Sequence, residues 1–355
     1  IINSNRIINY IGSNVYCLKG SIKTLDKMNK LLLITILLII FTGCHENQQW
    51  MSKEKSTARK SVLEMTTRSY TAGSSVFTEI LPEGSEIGLF ITYGNQDSLY
   101  KGASLYKNVK SKAVGSSKGS LKWKQTPQVF LRSNRPVMIY AYSPYKVQIP
   151  LDPTSIPIKI SPIAAETPSY KYGRLSQGQK EFNRKSPLAK LSMNYALSLL
   201  SFEIYQDSNI NGLFKLTSIQ IGNRAGGNTL QYTGTMDIVT GNIKGTPGAY
   251  KATLLTIDPS VTLRHAKAEE QNIRIVPTYS PIREKEVEAI FTINGRTYKY
   301  IIPEGTCWNK GYKYSYKLYF DGKDIRLHDS VAYIWTPKLL SLIHISEPTR
   351  PLYIS

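Results

Sequence analysis

Cys44 has the surroundings that point most directly to chemistry, and that chemistry is done to the chain rather than by it. Met28-Asn29-Lys30 opens a short basic region, the apolar run Leu31 to Phe41 follows, and Thr42-Gly43-Cys44 closes it. The run is too short to cross a bilayer, where about 20 residues are needed, but it has the length of a signal-peptide core. Small residues before a cysteine resemble the bacterial lipobox, in which the thiol is acylated and the cysteine becomes the new N-terminus. Phe41 departs from the commoner Leu at its position. Several acyl chains on Cys44 suffice for stable anchoring, so lipidation there, including palmitate, is expected.

No other chemistry-bearing group forms a recognisable constellation. Cys17 and Cys307 have no obvious partner, and His45, His265, His328 and His344 are scattered without metal-ligand spacing. Gly241-Asn242-Ile243-Lys244-Gly245 reads as a turn, not a phosphate loop. Glu269-Glu270 and the run Glu284, Glu286, Glu288 read as solvated faces. No enzyme activity, cofactor or metal is expected. The formal charge of +20 raises nucleic acid as a partner. Lysines and arginines are spread along the chain without a dense basic block, and the leader directs it away from nucleic acid, so no nucleic-acid partner is expected.

The elements that must carry these residues are strands. Tyr at 24 far outnumbers Phe at 9, and Gly at 24 with Pro at 18 supplies many turns. Period-two patterns recur from Ser61 to Pro337, and no helical period persists. Val287 to Ile293 alternates and meets Asn294-Gly295, a strong hairpin signal. Tyr298, Tyr300 and Ile302 alternate next, and after Gly311 so do Tyr312, Tyr314, Tyr316, Leu318 and Phe320, up to the turn Asp321-Gly322. This predicts an antiparallel meander with one wet face. Leu191 to Leu199 is apolar at odd positions and Leu200 to Ile204 at even ones, which predicts a β-bulge near Leu199-Leu200 or one helical turn at Tyr195–Leu199. Further strands are predicted at Ile87–Thr92, Val137–Tyr142, Leu216–Ile221 and Arg274–Pro277. Pro157 limits Ile156 to Ile160 to an edge strand.

Several motifs carry a family resemblance. They are Thr66-Thr67-Arg68, taken to precede a strand, Gly84-Ser85-Glu86-Ile87-Gly88-Leu89-Phe90, Tyr140-Ala141-Tyr142-Ser143-Pro144-Tyr145 and Ser169-Tyr170-Lys171-Tyr172-Gly173. Asn194-Tyr195-Ala196-Leu197-Ser198-Leu199-Leu200-Ser201-Phe202, Gly234-Thr235-Met236-Asp237-Ile238 and Gly311-Tyr312-Lys313-Tyr314 complete the order. Together, from about Leu63 to Trp335, they resemble the fimbrillin-like family of Bacteroidales, fimbrial subunits and their anchors. Tyr195 stands where the family often has His, and Ser169 where it commonly has Asp.

The resemblance implies an all-β chain of two transthyretin-like antiparallel β-sandwich domains in tandem, exported as a lipoprotein precursor to the cell outer membrane and its fimbrium. It implies a protein of adhesion or biofilm formation, acting as subunit, tip or anchor. In polymerising members a trypsin-like protease cuts after an arginine near the start of the first domain, and a neighbour's strand fills the groove. Arg68 sits where such a cut falls, with Arg59 as the second candidate. Implied partners are other fimbrial subunits by strand exchange and the outer membrane through the lipid anchor. A non-polymerising lipid-anchored protein that binds host protein or glycan is the alternative.

The expected layout is an upstream extension at 1–27, a lipoprotein signal peptide at 28–43 and a tether at 44–60. Sandwiches follow at 61–182 and 187–339, with the boundary inside Gln177–Pro187. Residues 340–355 form a tail in which Leu340 to Pro351 resembles a translated sequencing adapter.

Overall fold

The computed structural model describes residues 61–68, 81–95, 99–115, 121–179, 182–246 and 252–335. The leader, Cys44, the tether with Arg59, and the tail lie outside these residues. The described residues all fall in one compact unit.

Among the described residues the regular structure is β, apart from a single 3-10 turn at Ala164–Glu166. The strands of the first half are β1 (Ser61–Val62), β2 (Glu64–Arg68), β3 (Glu86–Tyr93), β4 (Ser104–Val114), β5 (Lys122–Thr126), β6 (Phe130–Leu131), β7 (Val137–Ser143), β8 (Ile156–Lys159), β9 (Lys171–Leu175) and β10 (Leu188–Tyr195). Those of the second are β11 (Ser198–Gln206), β12 (Lys215–Asn223), β13 (Thr233–Met236), β14 (Ile243–Thr246), β15 (Ala252–Thr262), β16 (Gln271–Ile275), β17 (Val287–Ile293), β18 (Arg296–Ile301), β19 (Tyr312–Phe320) and β20 (Ile325–Ile334). Alternation explains many of them. In β17, Val287, Ala289, Phe291 and Ile293 are buried while the residues between are half-exposed. Asn294 and Gly295 both take positive φ, 48° and 76°, as a tight hairpin between right-twisted strands requires.

A seven-stranded sheet has the order β2-β10-β9-β7-β3-β4-β5. β1 and β6 form a separate antiparallel pair. β9 lies inside the large sheet, between β10 and β7. Gly173 makes this possible, because a Cβ there would overlap the Met193 sulfur and the Ser192 carbonyl of β10.

The second half is a β-sandwich of two four-stranded sheets, β16-β11-β19-β20 and β15-β12-β17-β18. Aromatic rings join them edge to face, Phe202 to Phe291 at 5.5 Å and Tyr298 to Phe320 at 4.8 Å. A third sheet, β14-β13-β8, pairs a strand of the first half with strands of the second. Residues beside β8 extend this stitching: Ile238 N–H donates to Pro153 O at 2.9 Å and Leu254 N–H to Pro162 O at 2.7 Å. β8 is an edge strand, as Pro157 predicts.

Three expectations change. The phase slip near Leu199 is neither a bulge nor a helical turn. β10 belongs to the seven-stranded sheet and β11 to the sandwich, so the chain changes sheets at Ala196-Leu197, and both runs keep a buried face because each sheet turns its apolar side to the same continuous core. That changeover lies beyond Gln177–Pro187. The C-terminal meander is also broken. β17 and β18 pair as predicted, but β19 crosses to the facing sheet and pairs parallel with β11. Finally, Thr66-Thr67-Arg68, taken to precede a strand, itself lies within strand β2.

Candidate functional site

The segment Ser61–Arg68 alternates, with Leu63, Met65 and Thr67 buried and Glu64 exposed. It changes partner at Leu63. Upstream, β1 pairs antiparallel with β6, and Leu63 N–H donates to Val129 O at 3.1 Å. Downstream, Glu64 N–H donates to Pro187 O at 3.0 Å, and β2 runs parallel to β10 from Glu64 opposite Leu188 to Arg68 opposite Ser192. The Ser61 hydroxyl donates to Arg184 O at 2.8 Å. Burial of Leu63 and Met65 contributes roughly 1.5–3 kcal/mol each.

β2 and β5 are the two ends of the large sheet, and they approach each other without pairing. The gap is a cleft of about 700 Å³ lined by Leu63, Met65, Thr66, Trp123, Gln125 and Leu188 among others. Thr66 Oγ1 and Trp123 Nε1 are buried there without a hydrogen-bond partner. The segment is therefore a short terminal strand, held by main-chain pairing on one side and two apolar side chains beneath. Its removal bares the β10 edge over an apolar groove, the arrangement that accepts an added strand.

Of the site residues read from sequence, the structure places Arg68 as the last residue of β2. Cys44 and Arg59 are outside the described residues. Sequence reasoning missed β4, β5 and the cleft, although Lys122 and Lys124 alternate with Trp123 and Gln125, a period-two signal.

Other reactive side chains make local contacts with the backbone. Cys307 Sγ contacts Thr278 O at 2.9 Å, and His265 Nδ1 lies 3.1 Å from Gln206 O. Among the described residues no group of three or more His, Cys, Asp or Glu could hold a metal. Glu286 departs from its reading as part of a solvated run, because its carboxylate is buried. It accepts from Arg283 Nη2 at 2.9 Å and from Asn228 N–H at 3.1 Å, and Arg283 holds its pKa far below the usual carboxylate range. Lys171 is buried with Nζ 4.8 Å from the centre of the Tyr195 ring, which stacks on Trp335 at 3.9 Å. Burial, aided by nearby Arg274, pushes the Lys171 pKa down to about 8. A second, polar cleft of about 450 Å³ is lined by Thr154, Ser155, Asp237, Asn242, Lys244 and the half-exposed Tyr279 among others.

A family model described as fimbrillin-like matches residues 67–332. The chain belongs to the fimbrillin-like family. Solved structures share the fold of this fimbrillin-like protein at low identity. A protein from Bacteroides ovatus named for cell adhesion superposes with a TM-score of 0.57 at 12% identity, covering 79% of this chain and 99% of its own. A fimbrial protein from Bacteroides vulgatus gives 0.56 at 12% identity, covering 78% and 100%. A protein from Bacteroides uniformis, also named for cell adhesion, gives 0.54 at 15% identity, covering 78% and 99%. Comparison with curated proteins gives no match.

Proposed function

We propose that this fimbrillin-like chain is a lipid-anchored surface protein that serves as a fimbrial subunit, tip or anchor in adhesion or biofilm formation and assembles by β-strand addition. The observation that carries the reading is the terminal strand Ser61–Arg68, which ends on an arginine and covers the β10 edge. As a polymerising subunit, the lipoprotein precursor is cut by a protease after Arg68, with Arg59 as the second candidate, which also frees the body from Cys44, and an extended strand from a neighbouring subunit replaces β2; as a tip or anchor the chain is not cut in this way and keeps its lipid. Main-chain hydrogen bonds to Leu188–Ser192 supply affinity, and alternate apolar side chains replace Leu63 and Met65. The two halves are tandem transthyretin-like domains that change over at Ala196-Leu197. Cys44 carries the acyl chains, and the outer membrane is the site of anchoring.

The test uses surface material from the native host, compared heated and unheated on denaturing gels by immunoblot. Polymer formed by strand exchange gives a ladder that collapses on heating. A single band of mature mass in both lanes removes polymerisation from the reading. It selects instead a non-polymerising binding protein for host protein or glycan, the role that the polar cleft at Tyr279 favours. Cys44→Ala is expected to abolish acyl labelling, and label retained in that variant contradicts the anchor.

A further inference from the structure

The lysines that are dispersed along the sequence are gathered on one face by the register of β4 and β5. Lys112 stands directly opposite Lys124, Lys110 opposite Thr126, and Val114 opposite Lys122. Residues two apart in a strand share a face, so all four lysines project from the same side. The other side carries Ser111, Ala113, Trp123 and Gln125, all buried. β3 contributes Glu86 opposite Lys112, but that carboxylate pairs with Lys110 at 2.7 Å. Among the described residues no carboxylate pairs with Lys112, Lys122 or Lys124, and all three are exposed.

Like charges directly opposite across an antiparallel pair are destabilising. Lysines on an edge strand guard it against unwanted pairing, and Lys122 and Lys124 on β5 satisfy that purpose alone. It does not call for Lys112 across from Lys124 on the inner strand. The cluster therefore costs the isolated chain stability without a return in packing, as expected of a surface whose counter-charge arrives with a partner.

We propose that this face of β4 and β5 binds an acidic polysaccharide, a linear chain bearing closely spaced carboxylates or sulfates. Strands lie about 4.8 Å apart and alternate residues about 6.8 Å apart, so the ammonium groups form a narrow array suited to successive anions on one extended chain. Lysine is a flexible point charge, which suits interchangeable anionic groups rather than one bidentate contact. Single-stranded nucleic acid is disfavoured because it needs aromatic platforms. Trp123 lies on the buried face, and the Tyr145 ring is covered by Lys110 Nζ at 5.6 Å. An anionic lipid surface is disfavoured because none of the exposed large apolar side chains belongs to β4 or β5.

The experiment measures binding of the purified protein to heparin and to polygalacturonate across a salt series, with neutral dextran as blank. The variant Lys112→Gln/Lys122→Gln/Lys124→Gln is expected to weaken binding at least tenfold and to reduce the log–log salt slope by roughly two to three, about one per lost ion contact. Its melting temperature is expected to stay the same or rise, which separates lost binding from lost folding. The control Lys185→Gln/Lys267→Gln/Lys323→Gln removes the same charge from other exposed positions and is expected to bind like the parent. Equal weakening in the control reduces the effect to net charge and overturns the site. Tighter binding to oligo-dT or to phosphatidylglycerol vesicles than to either polysaccharide, lost in the first variant, overturns the choice of partner.

Discussion

Arg68 closes β2 with its backbone beside Ser192, so the peptide bond in question lies at the end of the strand. Arg68→Ala is expected to leave a longer mature form in the native host, read by N-terminal sequencing; an unchanged N-terminus removes Arg68 from the mechanism. Two buried charges give independent expectations at this scale. Burial lowers the Lys171 pKa from 10.5 to about 8, so between those values the unfolded state holds more protons than the folded one. Stability is therefore expected to rise with pH across that window, and Lys171→Met should flatten the rise in denaturant titrations at pH 7.5 to 10. Glu286 works in the opposite sense. Its depressed pKa stabilises the fold above the unfolded value of 4.5 and ceases to do so as pH falls below it. Glu286→Gln should cost roughly 2 kcal/mol at pH 7 and make the acid limb shallower. The sequence shows Glu284, Glu286 and Glu288 as a charge run because linear spacing does not reveal that a loop turns Glu286 inward onto Arg283 and Asn228.

At the scale of elements, the attachment of Ser61–Arg68 rests on few side chains, so they should dominate its stability. Leu63→Ala and Met65→Ala are each expected to lower unfolding free energy by about 2–5 kcal/mol, whereas exposed Glu64→Ala should stay within about 0.5 kcal/mol. Equal effects at all three would mean that the segment is not packed as described. What the sequence made legible here was the position of the strongly alternating strands, because alternation is local: Val287–Ile293, Tyr312–Phe320 and the turn at Asn294-Gly295 stand where the pattern puts them. Partnership was not legible. An apolar run facing the core reads the same whichever sheet it belongs to, so the slip at Leu199-Leu200 concealed a change of sheet. The parallel pairing of β11 with β19 joins segments far apart in sequence, and nothing local encodes it. β5 went unread for a related reason, since its two lysines resemble loop composition until Trp123 and Gln125 are seen to be buried behind them.

For the molecule as a whole, the sheet β14-β13-β8 is the decisive feature, since it makes the two halves share hydrogen bonds rather than a flexible linker. The body is expected to unfold in one calorimetric transition, with tryptophan fluorescence and far-UV circular dichroism coincident. Ile158→Asn would bury an unpartnered amide at this junction, and two resolved transitions are expected in that variant. Two transitions in the parent would show that the stitching does not couple the halves. The charge of +20 also changes meaning at this scale. In the sequence it is spread without a dense basic block, but folding stacks part of it on one sheet face.

The pairing of β2 with β10 has a kinetic consequence. While the chain is continuous, β2 competes for its groove as a tethered segment, at an effective concentration that no separate peptide shares. Hydrolysis after Arg68 would break no hydrogen bond between the strands and move no side chain at that moment. It would turn β2 into a separate peptide, whose return after dissociation depends on dilution, and only then could an incoming strand prevail. The lag between cutting and assembly would thus be set by the lifetime of the Ser61–Arg68 segment on β6 and β10 rather than by the protease.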